Sequence, residues 1–435
     1  MKFKTPSLTW LRTFSLFFFL LFSLVALSSC QRKKEISYLP GVWNGTASLK
    51  PDSSFSFQKT QPEEVPLRLE LKVEGNQVIG SFMNGAERVT STSGTFDVPT
   101  QTLKLNFDYY DAVFEAGFVR REMIGTLTRT WHQKKLVREI KIWKGGEPMI
   151  IPAGAEGKDV SGEWEMRVGE GAQQKTWKLI AQQKDGSVIG TILTPSGDWG
   201  TMTGAFGYGK LQLSHFDVIN GHIFRAVLND KGQLEGMVDL GQGDPPRRII
   251  AERISNNSPA NADPAQLTRV QNPAETFRFG GIDFDGKAID QTNPRFKNKV
   301  VLIEVTGTWC PNCYDEAPLL KDLSARYKDQ GLEVLGLSFE YTGDTKRDLE
   351  QVKIFAKKHS ITYLMLLAGT TENDDVNKKL PQLVNFGAFP TTIFIGRDGL
   401  VKKIHAGFEG PATGERFTRL SGEFEETVKS LLKGE

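Results

Sequence analysis

Two thiols set the chemistry. Cys310 and Cys313 flank Pro311 and Asn312 in the run Thr306-Gly307-Thr308-Trp309-Cys310-Pro311-Asn312-Cys313. Thiols at this spacing can exchange electrons with a disulfide. One thiolate attacks, a mixed disulfide forms, and the second thiol releases the product. Cys310 is the expected nucleophile and Cys313 the expected resolving thiol. The second step needs an acceptor for the proton of Cys313. Glu304 lies six residues before Cys310 and is the single acid in Val300-Val301-Leu302-Ile303-Glu304-Val305. Desolvation raises the pKa of such a carboxyl, which suits a proton carrier. Glu316 follows Cys313 by three residues, about one helical turn.

These groups need a strand and a helix to place them. The apolar run at 300–305 predicts a buried central strand. Ala317, Leu319, Leu320, Leu323 and Tyr327 recur at helical spacing after the cysteines. The pair therefore sits where a strand hands over to a helix. Pro311 suits the first helical turn, where its missing N–H leaves nothing unpaired. Free amides and the helix dipole favour a thiolate at Cys310, with Cys313 less exposed. Further on, residues 332–337 read as a strand and 344–359 as a helix with Leu349, Val352, Phe355 and Ala356 inward. Residues 361–367 read as a strand, 374–383 as a helix and 423–432 as a closing helix.

This order of residues resembles the thioredoxin fold, and more closely the TlpA/ResA-like membrane-tethered thiol-disulfide oxidoreductases. Gly307-Thr308-Trp309-Cys310 with Cys313 matches their active-site motif. Phe279-Gly280-Gly281-Ile282-Asp283-Phe284-Asp285-Gly286-Lys287 resembles their opening hairpin, and Lys299-Val300-Val301-Leu302 the lead-in to the first buried strand. Glu316-Ala317-Pro318 matches the Glu-x-Pro after the motif. Gly387-Ala388-Phe389-Pro390-Thr391-Thr392-Ile393-Phe394-Ile395 matches the cis-proline segment, and Asp398-Gly399 a hairpin turn. The resemblance covers residues 273–435. It implies that Glu304 is the buried acid beneath the thiols and that Glu316 tunes them. It also implies a cis Pro390 that aligns Phe389 and Ala388 as an exposed edge for a substrate backbone and keeps metal ligands from the thiols. Trp309, Pro311, Asn312, Phe389 and Pro390 are the expected substrate contacts. Trp309 reads as a packing lid and His405 as structural. No cofactor beyond a Cys310–Cys313 disulfide is implied, and no metal. Thr306 stands where many relatives carry Trp. The Pro-Asn dipeptide between the thiols bears on the potential and the direction of electron flow.

The N-terminus reads as an export signal. Lys2, Lys4 and Arg12 precede an apolar run at 16–27 that is too short for a span of ~20 residues. Leu27-Ser28-Ser29-Cys30 resembles the bacterial lipobox, which implies lipidation of Cys30 and loss of residues 1–29. Acyl chains bury methylenes at ~0.8 kcal/mol each, so two or three hold a soluble domain at a membrane. Gln31 gives a lean toward the outer membrane, with the domain facing the periplasm or the surface.

Residues 37–255 show period-two stretches such as Leu67-Arg68-Leu69-Glu70-Leu71-Lys72-Val73, separated by turn signals such as Glu74-Gly75-Asn76. An internal repeat runs through them. Gly41-Val42-Trp43 corresponds to Gly162-Glu163-Trp164, Val78-Ile79-Gly80 to Val188-Ile189-Gly190, and Ser93-Gly94-Thr95-Phe96 to Thr203-Gly204-Ala205-Phe206. Two related antiparallel meanders or small barrels fit this pattern, at 37–150 and 158–254. His132, His215 and His222 are scattered without metal-ligand spacing, and the tryptophans read as core. A spacer or docking module is the expected role of this region. Residues 255–272, rich in Asn, Ala and Pro, read as a linker before a domain at 273–435.

The whole chain bounds these readings. Its 435 residues suggest two or three domains. With 54 basic against 52 acidic side chains, no basic surplus exists for nucleic acid. Three cysteines exclude a disulfide-built scaffold.

The fold class expected is therefore multidomain, an all-β N-terminal region followed by an α/β thioredoxin-like domain. The function expected is a lipid-anchored envelope oxidoreductase that reduces disulfide-bearing envelope proteins. Reduction there implies a membrane electron donor of the DsbD or CcdA kind. Competing classes are a peroxiredoxin, a copper-handling protein of the Sco type, and a surface lipoprotein with a ligand-binding β region. The Pro-x-x-x-Thr-x-x-Cys run of the first is absent, and the second spaces its cysteines by three.

Overall fold

The computed structural model describes residues 37–49, 64–131, 134–145, 158–171, 174–241, 245–254, 268–371 and 373–434. Cys30, the export signal and His132 lie outside these residues.

Among the described residues the N-terminal region forms two sheets of nine strands each, with a short 3-10 turn at Asp108–Tyr110 in the first. The first runs between Gly41 and Lys144, the second between Gly162 and Arg253. Both follow one order. The first strand pairs with the second and the ninth, and the ninth to fifth strands follow as a meander. The third strand pairs with the second and with a short fourth. In the second sheet the third strand also pairs with the fifth, through Gly190↔Met202 and its neighbours, and this closes a ring. In the first sheet the same junction is held by Ser91, whose N–H donates to Gly80 O at 2.8 Å and whose hydroxyl accepts from Gly80 N at 3.0 Å. Local details recur too. The indole of Trp43 donates to Leu39 O at 2.8 Å and that of Trp164 to Val160 O at 3.0 Å. Gly41 and Gly162 precede them with φ of 118° and 120°, a region that favours glycine. Alternating residues face inward and pack as core, with Phe82, Phe107 and Phe114 in the first sheet and Trp164, Phe206 and Phe224 in the second.

The two sheets are clamped together. Asn84 donates to Phe216 O at 3.0 Å and accepts from Phe216 N at 3.1 Å. The buried guanidinium of Arg138 donates to the carbonyls of Ser48, Leu49 and Gly241.

The C-terminal unit is α/β. Its strands are β1 (Gly280–Ile282), β2 (Ala288–Asp290), β3 (Val300–Thr306), β4 (Leu332–Glu340), β5 (Leu364–Thr370), β6 (Thr391–Ile395) and β7 (Val401–Ala406). Its helices are α1 (Pro311–Tyr327), α2 (Thr345–His359), α3 (Asn373–Lys379) and α4 (Glu415–Lys433). The sheet order is β2-β1-β5-β4-β3-β6-β7. β3, β4 and β5 are parallel, and β6 runs antiparallel to β3. Every residue of β3 is buried, as its apolar run requires.

Several boundaries differ from the sequence reading. The linker ends earlier, because Arg269–Val270 pair with Leu383–Val384. That pairing also shortens the expected helix at 374–383, which stops at Lys379. Asp344 is not helical but caps α2, accepting from the amides of Lys346 and Arg347. β5 starts at Leu364 rather than 361. The closing helix begins at Glu415, since its first turns carry few apolar residues to mark them.

Candidate active site

Cys310 is the residue immediately before α1, and its carbonyl accepts from the amides of Cys313 and Tyr314 at 3.1 and 3.3 Å. Pro311 takes the first helical position, as its fixed φ allows. Both cysteines are free thiols. Cys313 is fully buried, and Cys310 is buried as well, 4% exposed. The nucleophile is thus set inside a recess, with Cys313 the more deeply covered of the two. Burial pushes the Cys313 thiol well above its ordinary value, and the nearby Cys310 and Glu304 push it further. A thiol held protonated in this way needs a base before it can attack.

The Phe389-Pro390 peptide is cis. It brings Phe389 O to 3.5 Å from Cys310 Sγ, which donates to it. The edge beside it is less open than expected. Ala388 is buried, and its carbonyl accepts from Thr391 Oγ1 at 2.7 Å. Phe389 is half-buried, and the exposed backbone of the segment is at Gly387.

Trp309 is held in place by its indole, which donates to Phe339 O at 2.9 Å. Its ring meets Phe389 edge-on at 5.1 Å and Trp131 at 5.7 Å. Trp131 comes from the first β sheet and also lies 5.2 Å from Tyr341. Asn312 donates to Ser196 O, in the second β sheet, at 3.3 Å. Its amide is thus engaged by the chain itself, where a substrate contact was expected.

Three buried carboxyls are built into the strands and helix that carry the thiol segment. Glu304 is fully buried on β3, and burial raises it to about 8. Its Oε2 accepts from Tyr363 at 3.5 Å, and its Oε1 has no hydrogen-bond partner. Glu316 is fully buried too. It accepts from Thr392 Oγ1 at 2.5 Å, and burial with the charge of Glu304 raises it well above the carboxylate range. The third acid, Glu340, is missed by the sequence reading. It ends β4 and accepts from Thr308 N at 3.0 Å, Thr308 Oγ1 at 2.7 Å and Ser338 Oγ at 2.7 Å. Burial raises it to about 7. The sign that marked Glu304, one acid at the edge of an apolar run, is present at Glu340 as well.

The β region reaches this site directly. A cavity of about 970 Å³ is lined by Cys310, Asn312 and Asp315 of the thiol segment, and by Glu87, Tyr110, Trp199 and His215 of the two β sheets. His215 and Asp217 form a buried pair at 3.3 Å. Burial opposes charge on His215, but Asp217 and Glu87 outweigh it and raise the imidazole to about 9. Asp217 is lowered by its bond to His215, against the effect of burial. Among the described residues no three of His, Cys, Asp or Glu are placed to hold a metal ion. His405 packs on Phe424 at 5.2 Å.

Residues 269–417 match the Redoxin family model. The chain is 28% identical over 141 residues to a thiol-disulfide oxidoreductase ResA of Bacillus cereus, covering 32% of this chain and 73% of that protein. It is 30% identical over 112 residues to the ResA of Geobacillus kaustophilus, covering 26% and 57%. A crystal structure of a thiol:disulfide interchange protein of the thioredoxin family from Chlorobium tepidum TLS aligns over 38% of this chain and 99% of that one, at 21% identity and a TM-score of 0.29. The C-terminal part of the chain is thioredoxin-like and similar to the TlpA/ResA-like thiol-disulfide oxidoreductases.

Proposed function

We propose that this chain is an envelope thiol-disulfide oxidoreductase, lipid-anchored through Cys30, that reduces protein disulfides with the dithiol of Cys310 and Cys313. One observation carries the reading: Cys310 stands at the start of α1 against the carbonyl of Phe389 in a cis-proline loop, with Cys313 one turn deeper. The catalytic cycle follows from that geometry. The Cys310 thiolate attacks one sulfur of the substrate disulfide, and the other sulfur leaves as a thiolate. Cys313 gives its proton to the Glu304 carboxylate and attacks Cys310 Sγ. The mixed disulfide breaks, a Cys310–Cys313 disulfide forms, and two electrons have passed to the substrate. Glu316 stays protonated in the same buried layer and leaves Glu304 as the group that takes the proton. Trp309 positions the segment.

Return to the dithiol requires two electrons from a donor, and a membrane donor of the DsbD or CcdA kind supplies that chemistry. No resident cofactor takes part. The β region is read as two copies of one unit, supported by their common strand order and the repeated Trp and Gly contacts. Both units pack their inward faces, which favours a role in covering the thiol segment over one in holding a ligand within a barrel.

The reading is tested by the paired serine variants. Cys310→Ser is expected to abolish disulfide reduction, while Cys313→Ser accumulates a mixed disulfide visible by mass. Wild-type turnover in Cys310→Ser would overturn the assignment.

A further inference from the structure

The thiol segment is roofed by the β region on two sides. Trp131 of the first sheet covers Trp309, and the Asn312 amide is tied to Ser196 of the second. Ser196 sits in a tight hairpin, Pro195–Gly197, that presses on the C-terminal unit. A methyl group at Gly407 would come within 2.9 Å of Pro195 O, and one at Gly197 within 2.1 Å of Asn312 Nδ2. Neither position has room for a side chain. Asp198, next in the chain, donates its amide to Phe408 O at 3.3 Å and accepts from Gly410 N at 2.5 Å. Arg416 adds a two-pronged bond to Glu163, at 3.0 Å on each arm. The hairpin is therefore fixed over the helix start rather than resting on it.

What remains beside Cys310 is the cavity of about 970 Å³. Pockets of ~300–1,000 Å³ hold a compact ligand or a few residues of peptide. A folded domain of ~100 residues has a radius of gyration near 13 Å and cannot enter. Gly387, the exposed backbone position of the cis-proline segment, lines the same space. An extended chain laid along it would bring a sulfur over Cys310, and an extended chain recognises exposed backbone by main-chain hydrogen bonds. The opposite wall is aromatic, with Trp199 stacked on His222 at 4.4 Å and set edge-on to Trp177 at 5.3 Å.

We propose that the β region and the thiol segment together form a substrate chamber, and that the disulfide it admits is carried on a short or unfolded peptide segment rather than on a folded surface. This rests on the oxidoreductase reading above and narrows its substrate. The chemistry is unchanged: the reduced dithiol supplies both electrons, one disulfide forms on the enzyme as one breaks on the peptide, and no further reductant enters a single turnover.

The test uses the full chain, pre-reduced, in single-turnover reactions. One substrate is an eight-residue peptide in mixed disulfide with a small thiol. The other is a folded protein with a solvent-accessible disulfide. Each rate is divided by that substrate's rate with dithiothreitol. The peptide is expected to be favoured by about 100-fold, the loss that misplaced reacting atoms produce. Thr176, exposed on the second sheet, lines the chamber away from the thiols. Thr176→Trp is expected to slow peptide reduction about tenfold, or 1.4 kcal/mol, while alkylation of Cys310 by a small reagent is unchanged. Equal normalised rates for peptide and folded protein, or an unaffected peptide rate in Thr176→Trp, would sink the chamber. Failure of the wild-type protein to reduce either substrate would instead remove the reading on which it rests.

Discussion

The hydroxyl of Tyr314, one residue beyond Cys313, donates to the carbonyl of Tyr109 in the first β sheet at 2.6 Å. The two residues are 205 positions apart, and both are buried. Their rings lie 5.8 Å apart, and Tyr110 stands 4.7 Å from Tyr314. The helix that carries the thiols is therefore part of one continuous core with the β region. Tyr314→Phe leaves the Tyr109 carbonyl unpaired, at an expected cost of about 1–3 kcal/mol. Denaturant unfolding followed by tryptophan fluorescence measures it. A midpoint equal to wild type would mean that the contact contributes nothing.

Glu304 gives a pH signature. Its carboxylate, the form able to take the Cys313 proton, appears as pH rises through about 8. The release step should accelerate across that window in the wild type. Glu304→Gln should slow it and flatten the profile. Rapid-quench measurement of mixed-disulfide decay from pH 6 to 9 checks this, and parallel profiles would remove Glu304 from the step.

The same acid bears on stability with a defined sign. Its folded value of about 8 lies above the ordinary 4.5, so folding favours the neutral form. Its contribution is fully present below about 4.5 and is lost as pH rises toward about 8. Glu304→Gln keeps the neutral group at every pH. The variant should gain on the wild type between those limits and run parallel above them, as thermal melts at several pH values will show.

Much of the C-terminal unit can be read from the residues because its signals are local. The apolar run of β3, the CxxC and the Phe389-Pro390 pair each declare themselves within a few positions. Burial of Cys310 could not be read that way. The β region reaches the thiol segment through Trp131 on Trp309 and Ser196 on Asn312, contacts that span more than a hundred residues. Glu340 escapes a local reading for a related reason, since its partner Thr308 lies 32 positions before it, just past the end of another strand. His215 and Asp217 look unremarkable as neighbours on a strand. In the fold they are a buried pair at 3.3 Å.

That pair makes a further expectation. His215 is raised from an ordinary 6.5 to about 9, so its charge stabilises the fold fully below pH 6.5. The contribution is lost as pH rises through about 9. His215→Gln should unfold more readily at pH 6, with the gap to wild type closing above pH 9. A gap that stays constant across that range would show that the imidazole is neutral in the folded protein.

Glu340→Ala removes the acceptor for both donors of Thr308 and opens a void beside β4. The expected cost is about 2–4 kcal/mol. The reaction should suffer as well, because Thr308 leads directly into Trp309 and Cys310. Glu340→Gln, which keeps one acceptor oxygen, should recover part of both losses. Equal effects of the two variants would point to packing alone.

The ring formed by the second β sheet has one more consequence. A sheet that rejoins itself presents no lateral row of unclaimed amides to a neighbouring molecule, and in the first sheet Ser91 bridges the corresponding seam. Many copies crowded side by side would therefore find little to zip onto, and the long β stretch adds bulk above the thiols without adding a seed for fibres.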